Sequence, residues 1–278
     1  MTAPELDRLI EVEGVRLRVV SEGEGDPVLI LHGFTGSAES MACVSDRLRD
    51  RFEVHRVCLV GHGGSDSPSR PEAFLMSRCV AQLGALLDAL ELPRVCVMGY
   101  SMGGRAALSL AAAHPERIQS LVLVGASPGL SDPEERAARR QADEELAEGL
   151  LRDGLEAFVD RWMDHPLFAS QARLGEAALA QARAERLRGS AAGLAGSLRG
   201  MGTGSMPPLH DDLFRMSMPV LCVVGEEDAK FRALAERMVA ALPHGELACI
   251  PSAGHAAHLE QPEAFARIVS AFASASFA

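Results

Sequence analysis

Apolar residues along this chain fall into two rhythms that alternate. Short β-branched runs at Val28–Leu31, Phe52–Cys58, Val95–Met98 and Leu121–Val124 predict strands buried on both faces. Leu75–Leu90 and Met102–His114 have helical length and periodicity and lie between such runs. Near the start, Leu9–Val12 and Val15–Val20 flank Glu13-Gly14 and predict a β-hairpin. Strands alternating with helices predict an α/β fold: a mostly parallel sheet covered on both faces.

The alternation stops after Val124. From Pro128 to about Asp212 the chain is charged, alanine-rich and helical in pattern, with a helix start expected at Pro133 after Ser131 or Asp132. Strand signals return at Pro219–Val224 and Leu247–Ile250, each followed by a helix. The organisation expected is a core formed by residues 1–127 and 213–278, interrupted by a helical lid over 128–212. The glycine-rich "LRGMGTGSMPPL", Leu198–Leu209, reads as the return loop of that lid.

Composition narrows the partners. The 278 residues carry a formal net charge of -11, which argues against nucleic acid or an anionic membrane as a partner. No uninterrupted apolar run approaches the about 18 residues of a membrane span. The opening "MTAPELDRLIEVEG" lacks a basic stretch followed by an apolar one, so no secretory leader is expected. Six scattered cysteines lack CxxC or Cys/His spacing, and the several that sit in strand-like runs read as buried free thiols. These features together lead us to expect a reduced, cytoplasmic protein without a metal.

The candidate chemistry begins at "GYSMGG", Gly99–Gly104, where a buried strand meets a helix. This is the setting in which GxSxG presents a nucleophile, here Ser101. A serine hydroxyl needs a base, and the base needs an orienting acid. The expected order is Ser, acid, His. "GEEDAKF" supplies Asp228 after a strand, with Glu226 and Glu227 as neighbouring alternatives. "SAGHAAHLEQPEAF" supplies His255 in a glycine-flanked loop, with His258 as the competitor. After the third strand, "LILHGFTGS" offers an oxyanion turn, and the backbone amides of Phe34 and Met102 are the candidate donors. His32 and the "GHGGSDS" segment (Gly61–Ser67) are read as braces for their loops. Together these pieces resemble the α/β-hydrolase superfamily, a scaffold that hosts esterases, lipases, C–C hydrolases and lyases.

Arg105 stands four residues after Ser101, on the same helix face, so its guanidinium can approach the pocket floor. A neutral ester gains little from such a charge, whereas a carboxylate gains a bidentate partner. The helical segment adds Arg136, Arg139, Arg140, Arg183, Arg186 and Arg188, interleaved with Asp143, Glu144 and Glu185 at spacings that also suit simple i,i+4 pairs.

"LHGFTGS", "GYSMGGRAAL", "PGLSDPEERAARRQAD", "RWMDHPLF", "LRGMGTGSMPPL", "GEEDAKF" and "GHAAHLEQPEAF" occur in order across about Leu31–Phe265. In these the sequence resembles the 2-succinyl-6-hydroxy-2,4-cyclohexadiene-1-carboxylate synthases of menaquinone biosynthesis. The resemblance implies a lyase that expels pyruvate from an enolpyruvyl cyclohexene tricarboxylate, with no metal or organic cofactor. It implies a triad of Ser101, Asp228 and His255 acting as a base relay. It further implies carboxylate contacts from Arg105, Arg139 and Arg186, and a pocket lined by Tyr100 and Trp162. The sequence departs from the family pattern at Met206 and His210, and at "CLVGHG" after the fourth strand. The alternatives are an ester or C–C hydrolase with a covalent serine, and a non-catalytic ligand receptor.

Overall fold

A computed structural model describes residues 5–278. At its centre is an eight-stranded sheet of β1 (Leu6–Val12), β2 (Val15–Glu22), β3 (Asp26–Leu31), β4 (Phe52–Val57), β5 (Val95–Tyr100), β6 (Ile118–Val124), β7 (Val220–Gly225) and β8 (Gly245–Ile250). Their order is β1-β2-β4-β3-β5-β6-β7-β8. β1 and β2 form the expected hairpin, with Val12 opposite Val15. Glu13 (φ 50°) and Gly14 (φ 73°) both take positive φ there, as a two-residue turn between right-twisted strands requires. β2 is antiparallel to β4, and every pairing from β4 across to β8 is parallel.

Side chains alternate between two cores. Leu29, Leu31, Val95 and Val97 face α2 (Met76–Ala89) and α3 (Met102–Ala113), where Leu83, Leu86, Ala107 and Leu110 meet them. Val28, Ile30, Cys96 and Met98 face the other way, toward Val44 and Leu48 of α1 (Ala42–Leu48). The period of two in each strand thus divides neighbours between opposite faces, and both faces are dry because helices cover them. The direction of strand addition reverses between β3 and β5, and open α/β sheets bind ligands at the carboxyl ends of strands beside such a reversal.

Between β6 and β7 the chain forms only helices: α4 (Pro133–Asp153), α5 (Leu155–Met163), α6 (Glu176–Arg186) and α7 (Ala191–Met201), with a 3₁₀ segment at Pro166–Leu174. Asp132 is the residue that starts α4, since its carboxylate accepts the amides of Glu134 and Glu135 at 2.8 and 2.9 Å. These helices share a small core of Ala147, Leu150, Phe158, Val159, Leu194, Ala195 and Leu198. The return loop begins later than the sequence suggests. α7 runs to Met201, because Leu198, Gly200 and Met201 are buried and packing outweighs the glycine content; only the segment from Gly202 onward is irregular. The remaining helices, α8 (Ala229–Ala241), α9 (Ala257–Glu260) and α10 (Pro262–Phe277), follow β7 and β8.

All six cysteines are free. Cys58, Cys79, Cys96 and Cys222 are buried as expected, but Cys43 is half-buried and Cys249 is exposed on the edge strand β8. Among the described residues no helix is long and apolar enough to cross a membrane.

Candidate active site

The turn from β5 into α3 places Ser101 at φ 51°, ψ −106°, a sparsely populated conformation for a residue with a side chain. It is held by a hydrogen bond from the Ser101 amide to the Val124 carbonyl (2.8 Å) and by close packing on either side. A Cβ on Gly103 would meet the carbonyls of Leu31 and His32, so only glycine allows α3 to start this near β3. The Ser101 hydroxyl donates to His255 Nε2 at 3.1 Å, and His255 Nδ1–H donates to Asp228 Oδ2 at 2.7 Å. His255 and Asp228 are both buried. The second carboxylate oxygen of Asp228 accepts the Phe231 amide (3.2 Å), which fixes the acid as the cap of α8.

The competitors for these positions are engaged elsewhere. Glu226 accepts the Ser252 amide at 3.2 Å, and Glu227 forms a bidentate pair with Arg173 at 3.0 Å. His258 is buried with its ring 4.4 Å from that of Tyr100, and burial holds its pKa at about 3. His32 braces its loop: one ring nitrogen lies 2.7 Å from the Gly33 carbonyl and the other accepts the Leu59 amide at 3.0 Å. The "GHGGSDS" segment is likewise tied down, through Ser65 Oγ donating to the Cys58 carbonyl (2.6 Å) and Asp66 pairing with Arg16 (2.9 Å).

Ser101 opens on a cavity of about 670 Å³, a size suited to a small-molecule ligand. Phe34, Tyr100, Met102, Arg105, Arg139 and Trp162, all expected at the site, line it. The Phe34 and Met102 amides find no acceptor among the described residues; Met102 opens α3, where an N–H has no intrahelical carbonyl. Two unpaired donors beside the serine can hold a developing anion. Phe34, Phe158 and Trp162 form an apolar wall, with Trp162 stacked on Phe158 at 5.9 Å and edge-on to Phe34 at 5.2 Å.

Geometry separates the arginines. Arg105 is half-buried; its Nη1 donates to the Met201 carbonyl at the end of α7 (2.6 Å) and lies 3.9 Å from Met206 Sδ. Burial, and then the nearby Arg139, pull its pKa down to about 10, against the opposing charge of Asp143. Arg139 donates through Nε to Asp143 at 2.9 Å, and burial raises the pKa of that carboxyl. Arg136 and Arg140 reach the Met206 and Gly204 carbonyls, and Arg183 pairs with Glu156 and Asp160. Arg188 lines a separate cavity of about 270 Å³ with Arg18, Glu39 and His62. Arg186 is not among the residues lining the cavity, although its charge acts on Tyr100, which does: its Nη1 donates to the Ala182 carbonyl of its own helix, its Nε has no partner among the described residues, and burial lowers its pKa. Of the family departures in the return loop, Met206 is buried beneath Arg105 and His210 is exposed.

Sequence reasoning missed three charged wall residues, Asp143, Arg161 and Lys230. Asp143 was legible only as an ion-pair partner. The position of Lys230, two residues after Asp228, was the one available signal for its place at the site.

A family model for the alpha/beta hydrolase fold matches residues 26–262. A Bacillus subtilis (strain 168) protein, provisionally named 2-succinyl-6-hydroxy-2,4-cyclohexadiene-1-carboxylate synthase, is 44% identical over 262 residues, covering 94% of this chain and 95% of the relative. The chain belongs to this synthase family, on the alpha/beta hydrolase fold. The synthase of Serratia proteamaculans (strain 568) is 32% identical over 252 residues, covering 90% of this chain and 94% of its own. The structure of MenH from S. aureus superposes with a TM-score of 0.89 at 31% identity, covering 94% of this chain and 99% of that one. Membership of the synthase family fixes the enzyme class as a lyase built on a hydrolase scaffold.

Proposed function

We propose that this protein eliminates pyruvate from 2-succinyl-5-enolpyruvyl-6-hydroxy-3-cyclohexene-1-carboxylate to give 2-succinyl-6-hydroxy-2,4-cyclohexadiene-1-carboxylate, a step of menaquinone biosynthesis. The observation that carries this reading is a Ser101–His255–Asp228 chain opening on a cavity whose wall also holds Arg105 and Arg139. The names of the relatives support the substrate.

In this reading Asp228 orients His255, which takes the Ser101 proton, and the alkoxide abstracts a ring proton. The C2–H electron pair forms the C2=C3 bond, and the existing C3=C4 pair shifts to C4=C5. The C–O pair leaves with the enolpyruvyl oxygen, and the enolate accepts the proton held by His255 to become pyruvate. One proton is removed and one returned, so neither water nor an acyl-enzyme is consumed. Phe34 and Met102 amides hold the developing negative charge, a contribution of about 3 kcal/mol per donor in comparable sites. Arg105 and Arg139 bind substrate carboxylates, and Tyr100 and Trp162 shape the wall. Residues 128–212 serve as the lid.

The test is to supply the enolpyruvyl cyclohexene and follow pyruvate release together with cyclohexadiene absorbance. Pyruvate release well above the spontaneous rate is expected. Release at only the spontaneous rate, with hydrolysis of simple aryl esters, overturns the lyase in favour of a covalent hydrolase.

A further inference from the structure

Four cations line the catalytic cavity, and two of them have a carboxylate of their own. Arg139 is 2.9 Å from Asp143, and Arg161 is 3.1 Å from Asp153. Arg105 and Lys230 pair with no carboxylate among the described residues; Arg105 bonds a carbonyl, and Lys230 has only the Phe231 ring at 5.7 Å. These two charges without a direct carboxylate partner sit on separate elements. Arg105 lies one turn beyond Ser101 on α3. Lys230 lies in the first turn of α8, beside Phe231, whose ring is 4.4 Å from that of His255.

The position of Lys230 is locally unfavourable. A cation in the first turn of a helix opposes the helix dipole. It is also the single lysine in a chain whose other basic side chains, histidine aside, are all arginine. The turn that carries it is fixed, because Asp228 accepts the Phe231 amide. Lys230 is exposed at the mouth of the cavity, where water solvates the ammonium, and neither helix stability nor an ion pair accounts for its position. An anion in the cavity does, since a mobile point charge with three donors can follow a carboxylate from the rim.

We propose that Lys230 is a second carboxylate anchor of this site, taking a carboxylate of the substrate other than the one held by Arg105. The two anchors then bind a substrate with at least two carboxylates across the serine and histidine, and discriminate against monoanions. This rests on the lyase reading for the identity of the substrate, but its first test does not need turnover.

Lys230 carries the only ε-amine, so trinitrobenzenesulfonate labelling, read by mapping the Lys230 peptide, reports this residue alone. Propane-1,2,3-tricarboxylate, which cannot eliminate, is expected to slow that labelling severalfold, and acetate is expected to leave it unchanged. Equal labelling with and without the tricarboxylate overturns the anchor, whether or not the enzyme releases pyruvate. With the true substrate, Lys230→Met is expected to raise KM about tenfold, the equivalent of one charge-assisted hydrogen bond. kcat is expected to stay within about threefold and the melting temperature not to fall, as a cation opposing the dipole has been removed. Lys230→Arg is expected to recover most of KM. An unchanged KM in Lys230→Met, or a lower melting temperature with a parallel loss of kcat, assigns Lys230 a structural role instead. Absence of pyruvate release by the unaltered enzyme rejects the lyase reading and leaves the labelling result to decide the anchor.

Discussion

The cavity is built from two unlike halves. The sheet side contributes Ser101, His255, Asp228 and the Phe34 and Met102 amides, held by backbone hydrogen bonds at the carboxyl ends of β3, β5 and β7 and in the loop after β8. The helical insertion contributes Arg139, Phe158, Arg161 and Trp162 from helices whose outer faces are charged, ion-paired and largely exposed. The first half fixes atoms to within hydrogen-bond tolerance. The second supplies charge and cover through side chains with many rotamers. Proton transfer needs the former, and selection among carboxylates can be done by the latter.

The sharpest way to break this division is in the sheet half. Ser101→Ala is expected to lower kcat about 10³- to 10⁴-fold with little change in substrate binding, as loss of a triad member does elsewhere. Direct binding of substrate to the variant, measured by calorimetry, checks the second part. Loss of binding together with rate would mean that the serine holds substrate rather than moving a proton.

A second contrast is in acid. His32, His55, His62 and His258 are buried, and burial holds their pKa values at about 4, 4, 3 and 3. Unfolded, each titrates near about 6.5, so below that pH the unfolded chain binds more protons than the folded one. Their contribution is complete above pH 6.5 and is lost as pH falls, by about 1.4 kcal/mol per unit for each ring. A clear drop in melting temperature between pH 7 and pH 5 is expected, and a flat profile would show that protons reach these rings in the folded state. All four lie in the sheet half, so the insertion is not the source of this sensitivity.

Arg105 joins the halves, since it rises from α3 and bonds the end of α7. Arg105→Ala is expected to lower kcat/KM about 100-fold, because a half-buried charge-assisted contact to substrate is lost together with the tie to Met201. Near-normal kinetics would remove the anion clamp from the sheet half.

The smallest effect is expected at Arg173, in the 3₁₀ segment of the insertion. It reaches Glu227 and the Ser252 carbonyl, which lie beside Asp228 and near His255. The guanidinium is half exposed, so Arg173→Ala is expected to cost at most about fivefold in kcat. A larger loss would show that the insertion also positions the triad.

The two halves also differ in how far they could be read from the chain. Ser101, His255 and Asp228 were legible because a strand-turn-helix with small residues at Gly99 and Gly103 leaves one position for the nucleophile, and chain order then locates its partners. The paired strands and both core faces followed from a period of two. In the insertion, a helical pattern revealed the helices but not their orientation. Arg136, Arg139, Arg140, Arg183, Arg186 and Arg188 have the same local signal, and only packing turned Arg139 toward the cavity while leaving Arg186 against its own helix.

By itself the sequence determined the α/β sheet, the serine turn, the acid and histidine loops and the cation one turn below the nucleophile. These depend on contacts within a few residues or on strand periodicity, which are local in the chain. Tertiary structure alone decided that Arg139 and its i,i+4 partner Asp143 face the cavity, that Arg105 bonds Met201 and that Lys230 stays without a carboxylate among the described residues. Whether a charge is free depends on which carboxylate folds up beside it, and that partner can come from a distant part of the chain.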